Sequence, residues 1–218
     1  MNTNLSRKRD YIRITGEILN NEGREGISIR RIANEAGCSS AVLYKHFQNL
    51  DHLIKLASVQ FLEPYMHQMS IESARGELTP IQLNLILWKR FLDEAFKKKD
   101  YYEMMFISTD KDILKSCVEE YYRIFSEELD EVDPISENIL FSNSLQEREY
   151  TRLKQAAEQG LIGEQEAYDL SVLGEAIFAG RLTQFDDGED PVKAADECYG
   201  LIFSLYTKYV NPETKLDI

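Results

Sequence analysis

The sequence predicts an all-α chain in two parts, a small three-helix unit at the N-terminus and a larger helical body behind it. Three observations carry this. Apolar residues recur at i, i+3, i+4 and i+7 through most of the 218 residues. Runs of Val, Ile and Thr alternating at period two are absent, so no sheet is expected. Cap-and-proline starts at Thr79-Pro80 and Asp190-Pro191 open helices well inside the body.

The first helix is expected over Ser6 to Glu22, with Tyr11, Ile14, Ile18 and Leu19 facing inward. The second runs from Ser28 to Ala36, where Ile29, Ile32, Ala33 and Ala36 form one apolar stripe. Ser28 can cap its free amides, Gly37 can end it in the left-handed region, and Cys38 reads as a small buried plug in the turn. Ser39 then caps a third helix. At about 100° per residue, Leu43 and Phe47 share its inward face, Ala41 and Lys45 point away with Val42 beside them, and Tyr44 and His46 flank. A fourth helix begins near Leu50 behind an Asn49 cap and carries Leu53, Leu56, Ala57 and Phe61 inward, until Glu63-Pro64 interrupts it.

In the body, a helix from Thr79-Pro80 closes near Lys99 on the cations Lys97, Lys98 and Lys99. Segments near Tyr101–Ser108, Lys111–Glu131, Glu137–Gln159 and Glu164–Arg181 follow, and the last helix runs from Asp190-Pro191 to Tyr209. Two stripes near the end, Leu170, Leu173, Ile177 and Gly180, then Cys198, Leu201, Ile202, Leu205 and Tyr209, serve equally as intrachain core or as a subunit interface.

Charge separates the two parts. The net charge is −13, yet residues 1–50 hold 8 Lys/Arg against 5 Asp/Glu, a balance of +3, while residues 51–218 hold 17 against 33, a balance of −16. Only the first part has the sign that phosphate binding requires. Three scattered cysteines without a C-x-x-C pair argue for reduced thiols in a cytoplasm and against a metal site. No apolar run approaches the roughly 18 residues of a membrane span. With three histidines and no H-E-x-x-H, G-x-S-x-G or phosphate-cradling glycine loop, no catalytic residue, metal ligand or cofactor is expected.

The outward face of the third helix suits double-stranded DNA. Small residues and one long cation, framed by hydroxyl and imidazole donors, allow close approach to base edges in a major groove. Lys45 is expected to reach guanine O6/N7, with Ala41 and Val42 against a thymine methyl. Arg30, Arg31, Ser39, Ser40, Tyr44 and His46 complete the expected contact set, chiefly to the sugar-phosphate backbone. Arg7, Lys8, Arg9 and Arg13 stand at the leading edge of the first helix, where they read as further backbone contacts or as a solvated helix start.

Residues Lys8 to Ile54 resemble the DNA-binding domain of TetR-type transcriptional regulators. The resemblance rests on an opening helix ending in Glu22-Gly23, on Ser28-Ile29-Arg30-Arg31-Ile32-Ala33, on Ala36-Gly37-Cys38-Ser39, and on Leu43-Tyr44-Lys45-His46-Phe47. Ala41 stands where that family usually has Gly, Ser40 where Lys is frequent, and Leu50 where a phosphate-binding Lys is common. The resemblance implies an N-terminal three-helix DNA-binding domain with a helix-turn-helix over residues 1–49, and a larger helical ligand-binding and dimerisation domain over residues 50–218. It implies a homodimer through the last two helices and a repressor released from a palindromic operator by a small hydrophobic molecule. An activator of the same fold, or a helical interaction protein with secondary DNA binding, are the alternatives. Trp88, Phe91, Tyr102, Met105, Phe106, Tyr121 and Phe125 are the expected lining of an effector site; they serve equally as ordinary core. Acidic surroundings suit a hydrophobic cation, and the aromatic and Met lining suits an acyl chain as well.

Overall fold

The computed structural model describes residues 3–76, 78–107, 112–129, 140–142, 144–186, 188–214 and 216, with residues 3, 73–75 and 112–114 described for their backbone alone. Among them no strand occurs; one isolated antiparallel bridge joins Ile162 to Val210. The helices are α1 (Thr3–Glu22), α2 (Ile29–Glu35), α3 (Ser40–Leu43), α4 (Leu50–Ser58), α5 (Glu63–Arg75), α6 (Pro80–Lys97), α7 (Lys99–Phe106), α8 (Asp112–Ile124), α9 (Leu145–Glu158), α10 (Glu164–Gln184) and α11 (Pro191–Tyr209). The expected helix ends at Ser108, Lys111 and Glu131, and the expected start at Glu137, lie outside the described residues. No described helix is long and apolar enough to cross a membrane.

The chain divides into two compact units, Met1–Glu63 with Ser116–Asp130, here the head, and Pro64–Lys115 with Glu131–Ile218, here the body. Composition does not reveal that a stretch from the middle of the chain belongs with the N-terminal helices.

In the head, α1 buries Tyr11, Ile12, Thr15, Ile18 and Leu19. Ile14, expected inward, is only half-buried, because the buried stripe centres on Ile12, Thr15 and Leu19 at i, i+3 and i+7 and leaves Ile14 at its edge. The Thr15 hydroxyl donates to the Tyr11 carbonyl at 2.7 Å, which satisfies a polar group inside the core. Leu53, Ile54, Leu56 and Ala57 of α4 complete that core. The interruption expected at Glu63-Pro64 takes the form of a 3-10 turn over Val59–Leu62, after which α5 starts afresh.

In the body, α11 packs on α6 and α10, and α9 packs on α10 and α6. Local chemistry sets the starts. Thr79 and Gln82 close a capping box, the Gln82 amide donating to Thr79 Oγ1 at 3.2 Å and the Thr79 amide to Gln82 Oε1 at 3.1 Å. Asp190 accepts from the Val192 amide at 2.9 Å, with Pro191 at the first helical position. Ser144 accepts from Glu147 at 3.1 Å.

Candidate functional site

The second and third helices are set by caps at both ends of their turn. Ser28 Oγ accepts from the Arg31 amide at 3.2 Å. At the other end of α2, Gly37 adopts φ 63°. Its amide donates to the Asn34 carbonyl at 3.1 Å and the Cys38 amide donates to Ala33 at 2.9 Å. This paired arrangement satisfies the last carbonyls only if the intervening residue is left-handed, a conformation that costs other residues about 1–2 kcal/mol. The Cys38 thiol, expected to be a buried plug, is half-buried and meets the Tyr11 hydroxyl, whose pKa is raised by burial and by that contact.

The third helix differs from expectation in two ways. Ser39 makes no side-chain cap, and regular α-helix covers only Ser40–Leu43. Beyond it, Lys45 donates to Val42 at 3.1 Å, His46 to Leu43 at 2.9 Å and Phe47 to Leu43 at 3.0 Å. The coil tightens but keeps its direction, so Phe47 still falls beneath Leu43. Both are buried, at 3% and 1% exposure, while Tyr44 is 57% exposed. Ala41, Lys45 and Ser39 are exposed, as is Arg30; Val42, Ser40 and His46 are half-buried. Ala41, Tyr44 and Lys45 thus share an open face. His46 sits against the Tyr11 ring at 5.4 Å. Burial holds its pKa below the ordinary range, helped by Lys8, Arg7 and Lys45.

The arginines and lysines of the head separate into two groups. Arg31 is bound to carboxylates: its Nη1 donates to Glu22 at 2.6 Å and to the Gly26 carbonyl at 2.9 Å, and its Nε to Glu35 at 3.0 Å. These contacts raise its pKa and lower that of Glu22. Lys8 pairs with Glu120, and Arg9 with Glu127. The guanidiniums of Arg9 and Arg13 lie 4.8 and 5.5 Å from the Phe125 ring centre. His52 joins the Glu120 cluster: its Nδ1 accepts from the Gln48 amide at 3.3 Å, so Nε2 donates to Glu120 at 3.0 Å. Glu120 is held down to about 2 by His52 and Lys8 against the opposing effect of burial. Among the described residues Arg30 and Lys45 have no carboxylate partner.

The expected effector lining is split. Trp88, Phe91, Tyr102 and Met105 are buried in the body, and Phe106 is half-buried there. Phe91 contacts Trp88 at 5.9 Å, Tyr102 at 5.3 Å, Phe106 at 5.1 Å and Phe178 at 5.0 Å, all edge to face. Tyr121 and Phe125 belong to the head instead, stacked on each other at 4.5 Å.

Beside the body's rings lies a buried polar network that the sequence reading missed. Glu149 Oε1 accepts from Trp88 Nε1 at 2.6 Å and from the Tyr206 hydroxyl at 2.7 Å, with Asn84 Nδ2 at 3.4 Å. Arg152 donates to Asn84 at 2.5 Å and to the Tyr65 hydroxyl at 3.0 Å. Burial raises Glu149 to about 7 against these donors and the Arg152 charge. The signal was present: Glu149 lies midway between Leu145 and Leu153 on one helical stripe, with Arg152 beside it. Among the described residues no cluster of His, Cys, Asp or Glu could hold a metal ion.

No protein-family model matches this sequence, and no curated protein matches it. Solved structures do. A Mesorhizobium loti protein assigned to the TetR family of transcriptional regulators superposes with a TM-score of 0.56 over 97% of this chain and 100% of its own, at 12% identity. A TetR transcription regulator of Haloarcula marismortui gives a TM-score of 0.54 over 94% and 99%, at 15% identity. The chain has the TetR-type fold. FadR of Thermus thermophilus, a TetR-family transcriptional repressor in complex with lauroyl-CoA, shares that fold with a TM-score of 0.52 over 90% of this chain and 93% of its own, at 17% identity. In this chain of TetR-type fold the exposed face of α3 lies in the part of the sequence whose motifs carry the resemblance.

Proposed function

We propose that this chain is a homodimeric DNA-binding transcriptional regulator, a repressor released from a palindromic operator by a small hydrophobic molecule. Residues 1–49 read the DNA; residues 50–218 bind the effector and the second subunit. The observation that carries the reading is the α3 face, on which Leu43 and Phe47 are anchored in the core while Ala41, Tyr44 and Lys45 stand open. Lys45 contacts a base acceptor in the major groove, and Ala41 and Val42 a thymine methyl. Arg30, Ser39, Ser40, Tyr44 and His46 hold the backbone. A DNA contact from Arg31 must compete with Glu22 and Glu35, so its part in the set is chiefly to fix α2.

Subunits pair through α10 and α11. Tyr168 and Val172 on the first, and Val192 and Leu201 on the second, are 40–53% exposed. A Cβ added at Gly180 or Gly200 would meet nothing within 4 Å, which leaves room for close approach of a partner helix. Leu170, Cys198 and Ile202, from the same stripes, are buried within the chain. The lauroyl-CoA complex of the Thermus thermophilus neighbour supports an effector role for the body.

Selection of bound duplexes from a random pool tests the reading. A two-fold symmetric consensus, bound with a steep salt dependence and loosened by a small molecule, is the expected result. Binding indifferent to sequence, or none at moderate ionic strength, would refute it.

A further inference from the structure

Glu149 is fully buried on α9, and its two oxygens are treated unequally. Oε1 has Trp88, Tyr206 and Asn84 as donors. Oε2 is equally enclosed and has no hydrogen-bond partner. An orphan acceptor inside a protein is costly, commonly about 1–3 kcal/mol and more for a charged group, and here it persists among groups that could have been apolar. Gly174 on α10 makes the room that the carboxyl itself occupies: a Cβ there would lie 2.6 Å from Oε2 and 3.0 Å from Trp88.

Every group facing this carboxyl points to the same kind of guest. Three donors on Oε1, with the nearby Arg152 charge, suit an ionised carboxylate, so the free lone pairs of Oε2 call for a donor. Arg152 does not supply it, because its hydrogen bonds go to Asn84 and Tyr65. Tyr206 already donates to Oε1. The surroundings are aromatic, and ring faces attract cations. Ring contacts run from half-buried Phe106 through Phe91 to Trp88, which gives an apolar guest a continuous set of neighbours.

We infer that the body binds an apolar amine, whose ammonium nitrogen donates to Glu149 Oε2 and whose apolar part lies among Trp88, Phe91, Phe106 and Phe178. This names the effector class for the site proposed above and rests on that reading. Glu149 is the counter-ion, and a bound amine requires its ionised form.

Calorimetric titration of the full chain with decylamine, 2-phenylethylamine and decanoate at pH 6, 7 and 8 tests it. Amine binding is expected, weakened at least about tenfold in Glu149→Gln. In the natural protein, affinity should fall by up to about tenfold per unit as pH drops below neutrality, with a proton released on binding. Equal amine binding by Glu149→Gln, a pH-independent affinity, or no amine binding overturns the inference. Should Glu149→Gln fail to fold, proton release and pH dependence in the natural protein still decide. Decanoate binding without amine binding refutes the amine and leaves the effector reading standing. DNA binding that no small molecule alters refutes the effector reading itself.

Discussion

Lys45 differs from Arg31, Lys8 and Arg9 in what surrounds it. Arg31, Lys8 and Arg9 are each held by a carboxylate, whereas Lys45 is exposed on a short coil whose other side is anchored by Leu43 and Phe47. A long cation on an anchored coil can specify; one on a frayed coil only attracts. Lys45→Ala should cost about 1–3 kcal/mol at one base position and relax preference there. Arg30→Ala should weaken all sequences alike and lower the salt slope by about one. Competition titrations with single-base operator variants separate the two, and unchanged sequence preference in Lys45→Ala would remove the assignment. Glu149 has a different consequence at the same scale. Its carboxyl is raised to about 7, above the range it has in an unfolded chain. The folded state therefore keeps a proton that the unfolded state loses, so the contribution is fully present below about pH 4.5 and is lost as pH rises to about 7. Relative to Glu149→Gln, the natural protein should lose about 3 kcal/mol of stability between pH 4.5 and pH 8. Paired urea melts across that range measure it, and parallel curves would show that the carboxyl does not titrate there.

At the scale of elements, the α2 turn and the α8 segment show what is local and what is not. Ser28, Gly37, Asn49, Thr79 and Asp190 were legible because a cap is settled within four residues of sequence. Gly37→Ala should destabilise the head by about 1–2 kcal/mol, and because α3 hangs from that turn, DNA affinity should fall while the body's ligand binding stays unchanged. Ser116–Asp130 was illegible for the opposite reason. Its Tyr121, Tyr122 and Phe125 have the composition of a body core, and nothing in a linear pattern says that the Phe125 ring meets Arg9 and Arg13, more than a hundred residues earlier. Glu149 was illegible because a carboxylate on a helix ordinarily faces water, and only the packed fold buries this one. The α8 segment also holds a cation of the first helix, through the Glu120–Lys8 pair. Glu120→Gln should release Lys8, strengthen DNA binding several-fold at low salt and steepen the salt slope, because one more cation becomes available to phosphate. An unchanged slope would mean that Lys8 lies away from the DNA path.

For the whole molecule, acidity and symmetry act together. On the proposed reading, a chain with net charge −13 approaches a polyanion against its own field, and the favourable balance of +3 belongs to residues 1–50 alone, so a single head should bind weakly. Pairing two heads would raise the effective concentration of the second after the first has docked, so on the proposed reading occupancy should depend on the α10–α11 face. On that face Val172 and Leu201 are 40% and 50% exposed, large apolar side chains that water disfavours. Replacing both by Glu sets like charges opposite one another across a two-fold interface while leaving buried Leu170, Phe178 and Ile202 in place. The double variant Val172→Glu/Leu201→Glu should keep its helix content by circular dichroism and sediment as a monomer. Its affinity for a two-half-site operator should fall at least a hundredfold, while its affinity for a single half-site matches that of the natural protein. A variant that still sediments as a dimer places the interface on another face; a monomer with undiminished operator affinity removes the need for paired heads.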